Sequence, residues 1–301
     1  MIYIDKLIID NYRKFQHLEV NLKQFNLLIG QNNTGKTTFL EAAALANSPT
    51  ISTIYKINES RISYKKQLMN PDYFSEVYMA MFNKSNTFTI NGNVVKGIVQ
   101  DNNTGTDFIC SINNDIKVIH GLHQPDKYDN SALILTHEFK VTNPNYYNVG
   151  FDAEDMQLIN SAISCFMNES HILFAPYEEP ILIKGNSFSP LYKHGLGVKK
   201  FIYLILSLYH SRNNVLLCDE FDLGFSPTIA KELYKVIFEL ALKYNVQLFF
   251  TEHSLDFIDS FLLEDYLANI KVIRFHEDTV REFDAERIYR LRNRSGVDVR
   301  I

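Results

Sequence analysis

Three segments of the chain carry apolar runs that end abruptly in other residue types. Phe25–Ile29 runs into a glycine, Val215–Cys218 into two acids, and Val246–Phe250 into Thr-Glu-His. Strands inside a parallel sheet are covered on both faces, so they read as continuous apolar runs. The pattern predicts three buried parallel strands with polar groups at their carboxyl ends, which is the edge where open α/β sheets bind ligands.

The rest of the pattern alternates between strand and helix signals. Ile2–Asn11 and Leu18–Leu22 predict two strands joined by a short turn, and Thr38–Ala46 predicts a helix. Phe88–Ile119 predicts short strands separated by Asn-Gly and Asn-Asn-Thr-Gly turns. Asp152–Asn168 predicts a helix with an acidic first turn.

The change of pattern after the first predicted helix indicates the domain organisation. The length allows one large domain or two small ones. Because the nucleotide-binding pattern resumes only near Ile172, we expect a single domain over 1–301. Its core would comprise 1–50 and 171–301, with an α+β insertion over 51–170.

Composition narrows the class of protein. The formal net charge of −5 excludes a molecule that is basic overall, although a local basic patch for nucleic acid stays open. The three cysteines are far apart, which argues against a disulfide framework or a zinc site. No apolar run reaches the roughly 18 residues of a membrane span, and the start has no signal-peptide core. We therefore expect a cytoplasmic protein with no membrane segment.

The first apolar run leads into Gly30–Thr37, which reads Gly-x4-Gly-Lys-Thr, the phosphate-binding P-loop pattern. Its glycines allow backbone N–H groups to face phosphate oxygens, and the helix that follows offers its N-terminus to the same anion. The pattern predicts that Lys36 neutralises the β- and γ-phosphates of ATP and that the Thr37 hydroxyl holds Mg²⁺. The remaining candidate nucleotide-binding residues of the loop are Gly30, Asn32, Asn33, Thr34, Gly35 and Thr38.

The second apolar run ends in Asp219 and Glu220, the form of a Walker B strand. Here Asp219 would hold the Mg²⁺ shell and Glu220 would polarise the attacking water. An ordinary strand followed by an acidic helix start reads the same way. The P-loop in the same chain favours the catalytic interpretation.

Two further stretches are candidates for contacts to phosphate. His253 follows the third apolar run and is predicted to hydrogen-bond a γ-phosphate or the attacking water, although a lone histidine is usually structural. Gly195 and Gly197 precede an apolar helix that lies shortly before Walker B. Free backbone N–H groups at a helix start would form a second anion site, whereas a plain turn is the common alternative.

These four stretches, in this order and with a long insertion, resemble the ABC-type ATPases, and above all the RecF/SMC and OLD-like bacterial ATPases. Ile8–Phe15 is similar to that group's opening "NFRxF" motif, and Phe249–Asp256 is similar to its "T-x-H-S" switch. The resemblance implies a P-loop NTPase fold in which helices enclose an ABC-ATPase-like sheet. The resemblance covers roughly 1–48 and 172–276.

The family resemblance also implies partners. Two such domains close head to tail and trap two ATP molecules, each between the P-loop of one subunit and the signature of the other. By this resemblance Gly195 and Gly197 contact the γ-phosphate of the partner's ATP, Arg13 contacts nucleotide, and Asp222–Gly224 forms the D-loop along an ATP-dependent homodimer interface.

Several residues depart from the family pattern. The signature serine has no clear equivalent, since Lys193 and His194 occupy its neighbourhood, and Leu196 and Phe225 replace other typical residues. These departures predict slow ATP hydrolysis more than weak binding. The segment after His253 is too short for the Toprim nuclease domain of OLD proteins, so we expect the ATPase alone.

Three functions share this ATPase. It could be a switch that drives a separate protein effector, a sensor subunit in anti-phage defence, or a RecF-like repair ATPase that binds DNA. Only Lys65-Lys66 in the insertion is basic enough to suggest nucleic acid.

Two other groups of residues are weaker candidates. His120-x-x-His123 lacks the further ligands of a metal site, so we expect a structural or solvent-facing role. The tail carries five arginines, which could bind phosphates or form salt bridges at a solvated helix end. They are Arg287, Arg290, Arg292, Arg294 and Arg300.

Overall fold

The structure is a computed structural model that describes residues 4–48, 53, 57, 86–90, 93–102, 105–112, 115–120, 133–135, 144–168, 170–222, 224–277 and 279–300. The strands are β1 Lys6–Tyr12, β2 Phe15–Asn21, β3 Phe25–Gly30, β4 Asn86–Ile90, β5 Asn93–Asn102, β6 Gly105–Ile112, β7 Asp115–His120, β8 Leu133–Leu135, β9 Ser170–Leu173, β10 Ile181–Lys184, β11 Ser187–Pro190, β12 Val215–Cys218, β13 Gln247–Glu252, β14 Ile270–His276 and β15 Thr279–Asp284. The α-helices are α1 Lys36–Asn47, α2 Ala153–Phe166, α3 Leu196–His210, α4 Pro227–Lys243, α5 Leu255–Phe261 and α6 Ala285–Ser295. Short 3₁₀ helices lie at Pro144–Tyr147, Leu191–Lys193 and Glu264–Asn269.

The three predicted buried strands are neighbours in a central sheet. Its order is β15-β14-β3-β13-β12-β8, and all pairs are parallel except β14 with β15. Phe250 pairs with Leu27 on one side and with Cys218 on the other. The P-loop, the two acids and the Thr-Glu-His segment therefore leave the same edge of the sheet.

A second sheet is antiparallel and has the order β2-β1-β4-β5-β6-β7. The two opening strands and the short strands predicted over Phe88–Ile119 all belong to it. Strand β4 pairs directly with β1, and β8 pairs with β12 in the central sheet. The segment expected to be an insertion thus contributes strands to both sheets.

Helix α1 lies between these sheets and explains why the central strands carry no polar face. Leu28, Leu217 and Phe249 pack with α1 and the antiparallel sheet in one core cluster. Their sequence neighbours Leu216 and Phe250 point the other way, into a second cluster with α3 and α4. Burial on both faces is what a continuous apolar run predicts.

Helix α2 confirms the predicted acidic helix start. Asp152 accepts a hydrogen bond from the Asp155 N–H, and Asp155 accepts one from Asp152, which together form a capping box. Lys243 at the end of α4 contacts both carboxylates, at 2.7 and 2.8 Å. Among the described residues, no helix is long and apolar enough to cross a membrane.

Candidate nucleotide-binding site

The P-loop joins β3 to α1 through backbone conformations that require glycine. Gly30 has φ 143° and Gly35 has φ 105°. A Cβ atom on Gly30 would lie 2.1 Å from the carbonyl oxygen of Phe275, which belongs to the neighbouring strand β14. Asn33, with φ 63°, is the type of residue that tolerates the left-handed region. The loop is therefore wrapped tightly against the sheet edge.

Lys36 lies inside this loop. Its side chain is buried, and its ammonium donates hydrogen bonds to the carbonyl oxygens of Gly30 and Gln31, both at 2.8 Å. Burial lowers the pKa of Lys36, and the nearby carboxylates, Asp219 first, oppose that shift. The loop thus holds a cation where phosphate oxygens would need one.

Thr37 in the first turn of α1 contacts Asp219, which follows the end of β12. The Thr37 hydroxyl donates to Asp219 Oδ2 at 2.7 Å, and the Thr251 hydroxyl donates to Asp219 Oδ1 at 2.5 Å. Mg²⁺ is usually held by one or two carboxylates together with waters and phosphates. A hydroxyl and a carboxylate in contact fit that requirement, even though no group of three metal-ligating side chains occurs among the described residues.

Glu220 is held in an unusual backbone conformation. Its φ of 52° lies in the left-handed region, which is rare for a residue other than glycine. Its N–H donates to the Thr251 hydroxyl at 2.8 Å, and its carbonyl oxygen accepts a hydrogen bond from Lys200. Such strain typically costs about 1–3 kcal/mol and concentrates at functional sites.

Thr251 and Lys200 are residues to which sequence analysis gave no role. Thr251 contacts both Asp219 and Glu220, so it ties the two strand ends together. Lys200 is buried in α3, and its ammonium lies 5.9 Å from the ring centroids of Phe221 and Phe225. For Lys200, its position on the apolar side of a helix was the feature of the sequence that could have indicated a role.

His253 lies at the end of β13 with a side chain that is 40% exposed, and its Nε2 is 3.4 Å from Asp222 Oδ2. Its carbonyl oxygen accepts a hydrogen bond from Arg300 at 2.7 Å. His253 lines a cleft together with the first residues of the P-loop and two residues near position 300. The cleft is lined by Gly30, Gln31, Asn32, His253, Asp298 and Arg300.

Glu252, next to His253, is fully buried behind the site. Tyr234 donates its hydroxyl hydrogen to Glu252 Oε1 at 2.7 Å, whereas Oε2 has no hydrogen-bond partner within the described part of the chain. Burial, followed by the charge of Asp222, raises the pKa of Glu252 well above its ordinary value. This carboxyl group therefore favours its neutral form.

The two signature glycines occupy different surroundings. Gly195 caps α3 with an extended conformation, φ −62°, and a Cβ atom there would meet no heavy atom within 4 Å. Gly197 is buried, and a Cβ atom would lie 2.4 Å from the Gly224 carbonyl oxygen. The Cα of Gly197 therefore packs against its own chain, while a role for its N–H toward a partner's ATP stays a prediction.

In the opening motif, the adjacent side chains of Arg13 and Lys14 contact different parts of the protein. Arg13 Nε lies 3.3 Å from the buried carboxylate of Glu41 on α1. Lys14 instead reaches the P-loop and donates to the Thr34 carbonyl oxygen at 2.6 Å. The predicted contact of Arg13 with nucleotide stays a prediction, and of these two neighbours it is Lys14 that contacts the loop.

The other P-loop candidates lie at the surface of the loop. Asn32 and Asn33 are exposed, Thr38 is half-buried, and the Thr34 hydroxyl donates to the Gln31 carbonyl oxygen at 2.8 Å. Their contacts with nucleotide stay predictions.

The histidine pair and the tail arginines, the weaker candidates, have different surroundings in the structure. His120 ends β7, and His123 lies outside the described residues. Arg290 pairs with Glu286 on the same helix, as the salt-bridge alternative predicts. Arg300 differs, because it lines the cleft beside the P-loop.

The P-loop ends β3, the acidic pair ends β12 with β13 between them, and an antiparallel sheet lies beyond α1. This arrangement defines the P-loop fold of an ABC-type ATPase. The chain belongs to the AAA ATPase domain family, whose model matches residues 2–170, more than half of its length. Solved SMC heads share the fold of the chain, and one curated RecF protein is similar to part of its sequence.

Two solved structures share the fold. One is an SMC head bound to the C-winged helix domain of ScpA, with a TM-score of 0.57 and 13% identity over 95% of this chain and 99% of that one. The other is an Smc head with an extended coiled coil bound to the C-terminal domain of ScpA derived from Pyrococcus furiosus, with a TM-score of 0.52 and 12% identity over 97% and 98%.

A curated relative resembles the chain more closely over a shorter stretch. The DNA replication and repair protein RecF of Rickettsia canadensis is 36% identical over 76 residues, which is 23% of this chain and 21% of that protein. The chain thus matches about a fifth of the length of this relative.

Proposed function

We propose that this protein is an ATP-hydrolysing switch that closes as a head-to-tail dimer and drives a separate protein effector. The observation that supports the catalytic part most strongly is the connected set of Thr37, Asp219, Thr251 and Glu220 beside Lys36. These groups come from three different parts of the sequence and are joined by hydrogen bonds of 2.5 to 2.8 Å.

ATP would bind with its phosphates on the P-loop backbone and the N-terminus of α1. Lys36 would offset the charge of the β- and γ-phosphates. Thr37 and Asp219 would hold Mg²⁺, which neutralises charge on the transferring phosphoryl group. The Thr251 hydroxyl keeps the Asp219 carboxylate oriented toward Thr37.

Glu220 is the proposed general base. It would accept a proton from the water that attacks the γ-phosphorus, while ADP leaves with the bridging oxygen. The backbone of Glu220 is fixed because its N–H donates a hydrogen bond to Thr251 and its carbonyl oxygen accepts one from Lys200, so its carboxylate has a limited range of positions. His253 is proposed to hydrogen-bond the γ-phosphate or the attacking water.

The surroundings of Gly195 support the dimer. Helix α3 begins there without a side-chain cap, so backbone N–H groups of its first turn lack that partner. The adjacent Tyr192 and Leu196 are exposed despite their size. An uncapped helix start surrounded by exposed apolar groups suits a surface that meets the γ-phosphate on a second copy, in an isologous two-fold contact.

Glu220→Gln tests the base and the dimer together. The glutamine keeps the size of the side chain but accepts no proton, so Mg-ATP should bind and turnover should fall by roughly 10²–10⁴-fold. The trapped ATP should hold two copies together, because ligand binding stabilises the state that it favours. Light scattering should therefore show a dimer of Glu220→Gln that forms with Mg-ATP.

The matched controls are Gly195→Asp and Gly195→Asn in the Glu220→Gln background. Both side chains fit the open space and cap α3 well. Only aspartate puts a negative charge near the partner's γ-phosphate, so it should prevent closure, whereas asparagine should allow it. Equal closure in both variants, or no change in mass with Mg-ATP, would contradict the sandwich dimer. Wild-type turnover in Glu220→Gln would contradict the assigned base.

The effector is proposed by analogy. Solved Smc heads of the same fold are bound to ScpA domains, so we propose a protein partner here. A sensor role in anti-phage defence, as in OLD-like systems without a Toprim domain, rests on sequence resemblance. We also propose that 1–301 act as one cytoplasmic ATPase domain with the insertion over 51–170.

A RecF-like DNA-binding ATPase is the second candidate, and the 36% identity to the Rickettsia repair protein favours it. DNA binding would depend on phosphate contacts, so the affinity for double-stranded DNA should fall steeply as salt rises. A fluorescence titration with labelled DNA, with and without ATP, separates the two. Absence of ATP-dependent DNA binding at low salt would exclude this candidate.

A further inference from the structure

The tail after α6 is anchored to the body of the protein. The Arg292 guanidinium pairs with both carboxylate oxygens of Asp259, each at 2.7 Å, and also donates to the carbonyl oxygens of Gly296 and Val297. Val299 is buried in the core cluster on the helical side of the central sheet. Residues 296–300 therefore follow a defined path that ends at the nucleotide site.

Arg300 is held at the end of this path by two groups. Its Nε and Nη2 donate to Asp298 at 2.9 and 2.5 Å, and its Nη1 donates to the carbonyl oxygen of His253 at 2.7 Å. A guanidinium has five N–H groups in a rigid fork. Three are used by these described partners, which leaves one on each terminal nitrogen for a ligand.

Arg300 is held beside the first residues of the P-loop. Arg300 and Asp298 line one cleft with Gly30, Gln31 and other loop residues. The ammonium of Lys36 lies against the carbonyl oxygens of the same two loop residues. Since a P-loop lysine reaches the β- and γ-phosphates, Arg300 lies beside the loop residues that would face the same phosphates.

We propose that Arg300 binds the γ-phosphate of the ATP held by its own chain and that Asp298 positions its guanidinium. The proposal rests on the nucleotide site described above. Arginine suits this task because its fork matches the geometry of phosphate oxygens and carries a permanent charge. Asp298 suits positioning, since Arg300 lowers the pKa of that carboxyl group to about 2 and keeps it ionised.

The proposal predicts selective loss of ATP over ADP, because ADP has no γ-phosphate. Arg300→Ala and Arg300→Gln should weaken ATP binding roughly 10- to 100-fold, the range for a charge-assisted hydrogen bond. ADP binding should change by less than about twofold. Asp298→Asn should weaken ATP binding less than Arg300→Ala, because the charge stays while its orientation relaxes. Calorimetric titrations with ATP and with ADP in Mg²⁺ measure all of these.

The matched control is Arg290→Ala, which removes the same charge at an exposed salt bridge on α6, just before the tail. It should bind both nucleotides like the wild type. Equal ATP affinity in Arg300→Ala and the wild type, or equal loss of ATP and ADP, would overturn the proposal. Lys36→Ala separates this failure from that of the site itself, because it should lose both nucleotides.

Discussion

The P-loop and the Gly195 turn are both helix N-termini capped by glycine, but the P-loop also contains a buried cation that could bind an anion. Helices α1 and α3 both begin at a glycine without a side-chain cap. At the P-loop, positive-φ glycines wrap the chain around a buried lysine. At the other turn, Gly195 has an ordinary conformation and open space around it.

This difference suggests a division of labour. The P-loop holds the buried ammonium of Lys36, and the Thr37 hydroxyl that is proposed to bind Mg²⁺ already contacts Asp219. The Gly195 turn offers helix N–H groups at the surface, beside exposed Tyr192 and Leu196. We infer that the first binds ATP alone, whereas the second completes a site only when another surface brings a phosphate to it.

Removing one cation from each region should give the largest difference between the two. Lys36→Ala should weaken ATP binding by more than roughly 100-fold, because several charge-assisted hydrogen bonds to phosphate are lost. Lys193→Ala removes an exposed cation next to Gly195 and should leave the binding of ATP by a single chain unchanged. Titration of a fluorescent ATP analogue measures both. Undiminished affinity in folded Lys36→Ala would contradict the P-loop assignment.

Adding one methyl group to each region is the next test. Gly30→Ala should destabilise the protein by about 3 kcal/mol, because the added Cβ would meet the Phe275 carbonyl oxygen at 2.1 Å in a conformation that alanine avoids. Gly195→Ala should cost about 1 kcal/mol or less, since alanine is only a poorer helix cap. Urea unfolding monitored by circular dichroism compares them.

Similar losses of stability in the two variants would show that the regions are equally constrained.

Sequence analysis predicted most of the elements because their signals are local. The continuous apolar runs predicted β3, β12 and β13, and the Asn-rich turns predicted β4–β7. The P-loop could be found because its glycines, lysine and threonine are adjacent in sequence and the chemistry needs each of them.

The features that sequence analysis missed depend on contacts between distant segments. Nothing near Thr251 shows that its hydroxyl joins Asp219 to Glu220, and nothing near Arg300 places it beside the P-loop. The two signature glycines look equivalent in sequence, yet only the approach of Gly224 makes one of them a packing residue. Arg13 and Lys14 are also adjacent, and the fold alone decides which of them meets the loop.

The last expected effect concerns Glu252, the buried acid behind the P-loop. The pKa of Glu252 is raised on folding, so the folded state keeps its proton when the unfolded state has lost it. The stabilisation from this group is complete below the unfolded pKa of about 4.5 and is lost as the pH rises toward the folded pKa. The wild type should therefore lose stability over that range.

Glu252→Gln should remove that loss. Glutamine is neutral at every pH and can still accept the hydrogen bond from Tyr234, so the variant should match the wild type near pH 4.5. Its advantage should then grow by no more than about 1.4 kcal/mol per pH unit. Urea unfolding between pH 5 and pH 8 measures the slope, and Glu286→Gln, at an exposed carboxylate on α6, should show no such gain. If Glu252→Gln and the wild type keep a constant difference across this range, Glu252 does not retain its proton on folding.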